Sequence, residues 1–395
     1  MGDDRAEVLR IFEAGVNAAD PYAAVAGALA DMPDPALIVA VGKAACLMAK
    51  AALERFAGVK CLVVTNYENA TPLTGATVMA AGHPVPDANG AAAAQAVIAA
   101  LNVANGPVLA LISGGGSALL PTPAGALTLE DKAQVNDLLL GAGLDIAAMN
   151  LIRQQLSDLK GGGFLRHATP QHVTALILSD VIGDDLSAIA SGPTVGPIGT
   201  AQEAVALLKQ SGLWNKVPEA VRVHLKETHK PPPLPQVSNR LVGSNGKSVA
   251  AMKAAATDAH VISTPIVGDV AEAAQMICNQ AVIGTTVWGG ETTVILHGNG
   301  RGGRNQELAL RIAQEAARRG WTQWTCLQGG SDGRDGPTDA AGGIVDQNTL
   351  GKIGDLDGLL ANNDSYAALK EAGDLLITKA TGTNVADLGV MIRTA

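Results

Sequence analysis

The sequence predicts an α/β protein in which a doubly wound, mostly parallel sheet domain is followed by a second, smaller α/β domain. Apolar, β-rich segments alternate with helical segments from Ala36 to about Leu178, a rhythm typical of parallel sheets. Aromatic residues make up only 3% of the 395 residues, so Ala, Val, Leu and Ile must fill the core. Such small side chains suit helices packed closely on a parallel sheet. The proline-rich segment from Lys230 to Pro235 predicts the domain boundary.

Local patterns predict the individual elements. An amphipathic helix is expected from Asp4 to Ala18, and another from Met149 to Leu159 ends at the run Gly161 to Gly163. Apolar segments that run directly into glycine-rich or acidic turns are Ala36 to Val41, Val108 to Ile112, Val173 to Leu178, Thr285 to Trp288 and Trp324 to Leu327. Because ligands of open α/β sheets bind outside the carboxyl ends of strands, these turns are the expected binding loops.

The predicted domains are residues 1–230, which form the sheet domain, and residues 237–395, which form the second domain. Further strands of the second domain are expected at Arg240 to Val242, Val261 to Val267 and Thr292 to Leu296. The prediction allows the C-terminal tail to pack back on the first domain. The expected active site is the cleft between the two domains.

A glycine-rich turn from Gly298 to Gly303 places Arg301 and Arg304 before a helix predicted from Leu308 to Arg318. Glycines let backbone N–H groups approach a ligand, and each guanidinium offers a planar set of donors that matches phosphate or carboxylate. A solvated surface turn is the competing interpretation. The two arginines are expected to have unequal roles, with Arg304 as the bidentate partner of phosphate or carboxylate and Arg301 assisting.

Composition excludes several classes of partner. The net charge is −9 and basic residues form no large cluster, which argues against binding to nucleic acid or to an anionic membrane. The four cysteines lie far apart without a CxxC pair, so buried reduced thiols are expected. The N-terminus lacks the pattern of a signal peptide and no long apolar stretch is present, so a cytoplasmic location is expected. A homodimer is an open alternative to a monomer.

Glycine-rich motifs recur along nearly the whole chain. They are VGKAA from Val41, GHPVPD from Gly82, SGGGSALL from Ser113, LSDLKGG from Leu156, LSDVIGDD from Leu178, IASGPT from Ile189, GGETTV from Gly289, GRGGRNQELAL from Gly300, SDGRDGPTDAAGG from Ser331 and TGTNVADL from Thr381. In number, order and spacing they resemble the motifs of bacterial glycerate 2-kinases of the MOFRL type, some of which carry the label hydroxypyruvate reductase. One departure is Lys379-Ala380, where relatives usually show Gly-Pro.

The resemblance implies a Rossmann-like glycerate kinase domain followed by a MOFRL-type domain. It also implies transfer of the γ-phosphoryl group of ATP, with Mg²⁺, to D-glycerate, giving 2-phosphoglycerate. Lys43 is the expected catalytic lysine, because a cation at a helix start opposes the helix dipole and is better used on a transferring phosphoryl group. A solvated surface lysine is the alternative.

Acidic turns supply candidate ligands for Mg²⁺, which prefers one or two carboxylates together with phosphate oxygens. The candidates are Asp180, Asp184, Asp185, Glu291, Asp332, Asp335 and Asp339. Several are expected to be local caps, because Asp is a favoured turn residue. Asp180, Glu291 and Asp332 are the favoured metal ligands, and Asp180 is also a candidate catalytic residue.

Hydroxyl and amide donors in two further turns are expected to bind phosphate or carboxylate. They are Ser113, Gly114, Gly115, Gly116, Ser117, Ser191 and Gly192. Tight turns without a ligand are the alternative interpretation. For His83, between Gly82 and the prolines of its loop, a structural role is favoured over that of a general base.

Two motifs bear on the alternatives. The segment Gly243 to Ser248 is similar to a P-loop, but that motif requires glycine at the position of Leu241. The turn at Gly42 lacks the later glycines of a dinucleotide fingerprint, and the following strand ends at Asn66 in place of an acidic residue. An NAD(P)H-dependent hydroxypyruvate reductase is therefore the less favoured alternative to the kinase, and a non-catalytic sensor of sugar acids or nucleotides is a third.

Overall fold

The computed structural model describes residues 2–227 and 234–395, which form two compact units. The parallel-sheet unit consists of Pro21–Leu178 and Asp184–Val242. The mixed-sheet unit consists of the residues up to Asp20, Ser179–Gly183 and Gly243–Ala395, and it contains the first helix, α1 (Gly2–Asn17). The predicted boundary from Lys230 to Pro233 lies outside the described residues.

The parallel-sheet unit has the strand order of a doubly wound fold. Its strands are β1 (Leu37–Val41), β2 (Lys60–Asn66), β3 (Ala76–Ala81), β4 (Val108–Ile112), β5 (Val173–Leu178) and β6 (Val237–Gly243). They are arranged in the order β3-β2-β1-β4-β5-β6, and the pairings from β3 to β5 are parallel. Every residue of β1 and β4 is buried, as expected for strands covered on both faces. The predicted fold class is confirmed.

Helices of this unit begin at polar caps where the sequence provides them. They are α2 (Pro21–Ala28), α3 (Ala45–Arg55), α4 (Ala88–Asn102), α5 (Gly116–Leu119), α6 (Leu129–Gly141), α7 (Ile146–Gln155), α8 (Gly163–Ala168), α9 (Ala201–Gln210) and α10 (Glu219–Lys226). Thr128 and Asp131 form a capping box at α6, and Asp145 caps α7. Because of that cap, α7 begins before the predicted Met149, and it ends at Gln155, ahead of the glycines.

The mixed-sheet unit surrounds a second sheet. Its remaining helices are α11 (Asn245–Ala255), α12 (Val270–Gln280), α13 (Arg304–Arg318), α14 (Leu356–Ala361) and α15 (Ser365–Ala372). Its strands are β7 (His260–Val261), β8 (Ile266–Asp269), β9 (Gly284–Thr293), β10 (Trp324–Gly330), β11 (Gly342–Asp346), β12 (Leu375–Leu376) and β13 (Asp387–Arg393). The order is β12-β11-β10-β13-β9-β7, and β8 also pairs with β9. The pairings of β7 and β8 with β9 are parallel, and the others are antiparallel.

Three predictions of the second domain need correction. The separate strand predicted from Thr292 to Leu296 is wrong, because β9 runs without interruption to Thr293. The strand predicted from Val261 to Val267 is divided into β7 and β8, with Pro265, which has no backbone N–H donor, just before β8. The C-terminal tail forms β13, which pairs with β10 and β9 inside the second sheet.

Helix α1 is held in the mixed-sheet unit by apolar packing and charge. Val8, Ile11 and Phe12 are almost completely buried, in a cluster that includes Leu327 of β10 and Val390 of β13. Helix α1 therefore belongs to the mixed-sheet unit, whereas the predicted range 1–230 placed it in the first domain.

Arg5 adds ion pairs to this packing. Its guanidinium lies 2.5 Å from Asp346 and 2.7 Å from Asp374, and the Asp374 side chain is only 2% exposed. Hydrophobic patterning alone does not identify the sheet on which an amphipathic helix packs. Among the helices of residues 2–227 and 234–395, none has both the length and the apolar composition needed to span a bilayer.

Candidate active site

The turns after β1 and β4 lie side by side, because these parallel strands are direct neighbours in register from Leu37 to Val41. The backbone N–H of Lys43 donates to the carbonyl of Gly114 over 2.9 Å. The N–H of Ala44 donates to Ser113 Oγ over 3.1 Å. Gly42 has φ +121° and closely approaches Ser113, so a side chain would not fit there. The structure thus brings together Lys43 and the predicted SGGGS loop.

His83 lies in the same group of turns. A Cβ atom built on Gly115 would lie 3.1 Å from the His83 ring and 3.2 Å from Lys43 Cγ. The imidazole is partly buried, and its pKa is lowered by that burial and by the charge of Lys43. The sequence favoured a structural role for this loop residue. Its position against Lys43 and Gly115 puts a neutral imidazole at the candidate site.

Ser117 and Ser191, two of the candidate anion-binding residues, also lie together. Their Oγ atoms are 2.8 Å apart. Ser191 has φ +61° and Gly192 has φ +68°, so the backbone here is held in an unfavourable conformation for a serine. Lys160 Nζ donates to Ser117 Oγ over 2.8 Å. Sequence reasoning missed Lys160, although a lysine before three glycines in LSDLKGGG was the available signal.

In the mixed-sheet unit, α13 begins at Arg304 and is capped by a residue distant in sequence. The Asp335 carboxylate accepts from the backbone N–H of Asn305 over 3.1 Å and of Gln306 over 2.8 Å. Burial raises the pKa of Asp335, although these hydrogen bonds oppose the rise. The candidate metal ligand Asp335 is therefore a helix cap in this structure.

The guanidinium of Arg304 is held by two carboxylates. Its Nε lies 2.7 Å from Asp387 Oδ2, and its Nη2 lies 3.1 Å from Asp387 Oδ1. Its Nη1 donates to Glu291 Oε1 over 2.9 Å. Burial acts to lower the pKa of Arg304, but hydrogen bonding and charge from Asp387, with Glu291, raise it above its ordinary value. The bidentate partner of Arg304 in this structure is thus Asp387, which sequence reasoning missed.

A buried chain of hydrogen bonds supports Asp387. Asn305 Nδ2 donates to Asp387 Oδ1 over 2.9 Å, and Gln328 Nε2 donates to Asn305 Oδ1 over 2.7 Å. Trp288 Nε1 in turn donates to Gln328 Oε1 over 2.9 Å. All of these side chains are buried, so the network fixes the position of the Asp387 carboxylate from inside the sheet.

Arg301 is placed differently, as expected for unequal roles. Its guanidinium donates to the carbonyl of Pro337 over 3.2 Å and lies 5.3 Å from the centre of the Tyr366 ring. It is exposed, and Tyr366 donates to Asp339 over 2.8 Å. Of the two arginines, only Arg304 forms ion pairs among the residues that the structure describes, one with the buried Asp387 and one with the exposed Glu291.

The acidic residues differ in their surroundings. Asp332 accepts from the N–H of Arg334 over 3.0 Å within its own turn, and Asp185 accepts from the N–H of Ser187 over 2.8 Å. Asp180 belongs to the mixed-sheet unit, as do Glu291 and Asp332. Within residues 2–227 and 234–395, no three His, Cys, Asp or Glu side chains form a group arranged to hold a metal ion. Mg²⁺ needs only one or two protein carboxylates when phosphate oxygens complete its shell.

Comparison with known proteins identifies the family of the chain. Residues 7–226 match the domain of unknown function DUF4147, and residues 284–387 match the MOFRL family. The chain is 37% identical to a glycerate 2-kinase of Pyrococcus horikoshii, over 98% of this chain and 97% of the relative. It is 38% identical to an Agrobacterium vitis protein with the provisional name hydroxypyruvate reductase, over 97% and 93% of the two chains.

A solved structure shows the same fold. The crystal structure of a glycerate kinase from Thermotoga maritima matches with a TM-score of 0.93 and 36% sequence identity, covering 100% of both chains. The fold and the two family matches define a two-unit α/β protein with a C-terminal MOFRL domain. The chain belongs to the glycerate 2-kinase family.

The Asp387 carboxylate predicts a pH dependence of stability. Burial raises its pKa to about 6 from an ordinary 3.8, against the opposing effect of Arg304. Between these values the folded protein binds more protons than the unfolded chain, so this group's contribution to stability falls as pH rises. Relative to Asp387→Asn, the wild type should therefore lose free energy of unfolding between pH 4 and pH 6.5, by at most about 3 kcal/mol.

Urea denaturation of both proteins at several pH values measures this difference. Asp357→Asn, a change at an exposed carboxylate of the same unit, is the matched control and should show no such trend. A difference in free energy of unfolding between the wild type and Asp387→Asn that is the same at every pH would contradict the prediction. That result would mean that Arg304 keeps Asp387 ionised throughout.

Proposed function

We propose that this protein phosphorylates D-glycerate at its 2-hydroxyl group, with ATP as phosphoryl donor, and releases 2-phosphoglycerate and ADP. The observation that supports it most is the contact between the Lys43 backbone and the SGGGS loop, with a 2.9 Å hydrogen bond to Gly114. This contact supports the proposal because it holds the backbone of Lys43 against a loop whose amides and hydroxyls suit phosphate oxygens. The relatives named glycerate 2-kinase and glycerate kinase support the choice of substrate.

In the proposed reaction, the 2-hydroxyl oxygen of glycerate attacks the γ-phosphorus of ATP as the bond from that phosphorus to the ADP oxygen breaks. The hydroxyl proton passes to a carboxylate, for which we propose Asp180. The ammonium of Lys43 stabilises negative charge on the transferring phosphoryl oxygens. Amides and hydroxyls of Ser113 to Ser117, with Ser191 and Gly192, hold the anionic groups of the substrates.

We propose that one or two of the carboxylates of Asp180, Glu291 and Asp332, together with phosphate oxygens, would hold Mg²⁺. A bound ion would neutralise negative charge on the phosphate groups. Arg304 is proposed to orient Glu291, with which it shares a 2.9 Å ion pair, and to use its remaining N–H donors on a substrate anion. Arg301 assists from the exposed turn. Catalysis in the cytoplasm is part of the same proposal.

A direct assay tests the function. Protein with ATP, MgCl₂ and D-glycerate should produce ADP, and coupling to enolase without a mutase should detect 2-phosphoglycerate specifically. Chelation should abolish turnover, and Mg²⁺ or Mn²⁺ should restore it better than Ca²⁺, whose longer bonds and looser geometry misplace the phosphates. A second arm with NADH and hydroxypyruvate tests the reductase named for one relative. Oxidation of NADH without ADP formation would reverse the assignment.

Lys43→Ala should lower kcat by roughly 10² to 10⁴, because one preorganised positive charge on the transferring group is typically worth a few kcal/mol. The free energy of unfolding should change little, since this side chain is only partly buried and forms no ion pair among the described residues. Lys60→Ala, which removes an exposed lysine at the start of β2, is the matched control. Near wild-type turnover in Lys43→Ala would exclude the proposed role.

Arg304→Lys should lose most activity, roughly 10²-fold in kcat/KM, although it keeps the charge, because lysine cannot form the paired hydrogen bonds to Asp387. Arg301→Lys should have a smaller effect, and the exposed Arg318→Lys in the same helix should have none. Steady-state kinetics on the three variants decide this. If Arg301→Lys is impaired and Arg304→Lys is not, the roles must be exchanged.

A further inference from the structure

Lys160 is a buried lysine in the parallel-sheet unit. Its residue surface is only 7% exposed. Its Nζ donates to Ser117 Oγ over 2.8 Å, and it takes part in no salt bridge among the described residues. An ammonium removed from water is unfavourable unless an opposite charge compensates it. This side chain therefore lacks the partner that its burial requires.

The neighbours of Lys160 add positive charge. Lys132 from α6 and Arg153 from α7 both act to lower its pKa, in addition to the larger effect of burial. Lys132 donates to the carbonyl of Thr122 over 3.2 Å, and Arg153 donates to Asn136. Asp158, the carboxylate that acts on Lys132, is not among the groups that affect Lys160. The region thus carries more positive than negative charge.

The hydroxyl next to Lys160 faces the candidate site. Ser117 belongs to the SGGGS loop and is half-buried, and its Oγ also lies 2.8 Å from Ser191 Oγ. The cavity beside Lys160 and Gly116 has a volume of only about 20 Å³, which is room for one water molecule. A larger anion therefore cannot enter beneath the loop, and it would have to bind on the side of Ser117 that is open.

We propose that Lys160 and Ser117 form an anion subsite, in which the buried ammonium supplies the charge and the Ser117 hydroxyl contacts a carboxylate or phosphate group of a substrate. Because a charged Lys160 donates to Ser117 Oγ, the hydroxyl proton of Ser117 is available to the anion. A neutral Lys160 would instead accept that proton in a hydrogen bond. The choice of these substrates as ligands rests on the proposed function. The need of the buried Lys160 ammonium for a negatively charged partner does not depend on it.

This arrangement couples anion binding to protonation. Burial and the charges of Lys132 and Arg153 lower the pKa of Lys160, and a bound anion must raise it again. Binding therefore takes up a proton wherever the empty site is neutral, and the affinity for the anion should fall as pH rises. Asp158 does not change this direction, because it is present in both the empty and the bound protein.

Calorimetry of the full chain with D-glycerate, ATP and inorganic phosphate, each titrated separately, tests the subsite. Lys160→Met keeps the length of the side chain and removes its charge, so it should bind at least one of these anions about tenfold more weakly or worse. In this variant, the affinity for the anion should change with pH only as far as the titration of the ligand itself explains. Lys209→Met, at an exposed position of α9, is the matched control and should bind like the wild type.

The three titrations distinguish whether the subsite binds a carboxylate or a phosphate group. A loss confined to D-glycerate identifies a carboxylate subsite, and a loss for ATP and inorganic phosphate identifies a phosphate subsite. Affinities within twofold of wild type for all three ligands would overturn the proposal, as would a wild-type protein that binds none of them. If Lys160→Met does not fold, Ser117→Ala, which retains the lysine, takes its place. Unchanged affinity of Ser117→Ala for all three ligands would also overturn the proposal.

Turnover and binding distinguish this proposal from the kinase function. A protein that shows Lys160-dependent anion binding but forms no ADP would refute the proposed function and retain the subsite. A protein that phosphorylates D-glycerate, and whose affinities for the three anions do not depend on Lys160, would support the proposed function and refute the subsite.

Discussion

The ion pair between Arg304 and Asp387 joins the elements on which the mixed-sheet unit depends. Asp387 begins β13 and is paired in register with Gly290 of β9, while Arg304 begins α13. Nearly complete burial of the carboxylate would be costly without the two hydrogen bonds from Arg304 and the one from Asn305. The pair therefore fixes the start of the helix against the middle of the sheet.

The second constraint on this unit is the close approach of neighbouring chain segments to the backbone at two glycines. It explains why glycine occupies positions in motifs that suggested ligand binding. A Cβ atom on Gly290 would overlap the backbone of Ile266 in β8, and one on Gly303 would overlap the Asp335 carboxylate. Gly303 thus permits Asp335 to reach the N–H groups of Asn305 and Gln306. In these two positions the motif glycines serve packing and capping, so their presence alone is no evidence of a ligand site.

Local sequence was sufficient for the central strands β1, β4 and β5 of the parallel sheet. It was wrong for β6, whose residues Arg240 to Val242 were assigned to the second domain, and it was insufficient for the partners of the candidate functional residues. Apolar runs such as Val108 to Ile112 predict β4 because burial and strand propensity agree there. The two carboxylate partners of Arg304, Asp387 and Glu291, lie 83 and 13 residues away in sequence, so no local pattern connects them to it. Likewise, the position of β13 between β10 and β9 depends on long-range pairing that turn signals do not specify. Lys160 was missed because burial of a lysine is not visible in its neighbouring residues.

The cations of the two units differ in how their charge is compensated, and this difference bears on their roles. Arg304 is already paired with Asp387 and Glu291, so a substrate anion can add to it only through donors that these carboxylates leave open. Among the described residues Lys160 has no carboxylate partner, and Lys43 lies beside the partly buried imidazole of His83. In a chain with a net charge of −9, uncompensated cations at one loop create a local attraction for anions that the protein as a whole does not provide. A guanidinium that is already paired orients its carboxylates, so Arg304 arranges acidic groups in this structure. An ammonium without a carboxylate partner attracts anions, and for this reason the SGGGS loop beside Lys43 and Lys160 is the place that we propose for the anionic groups of the substrates.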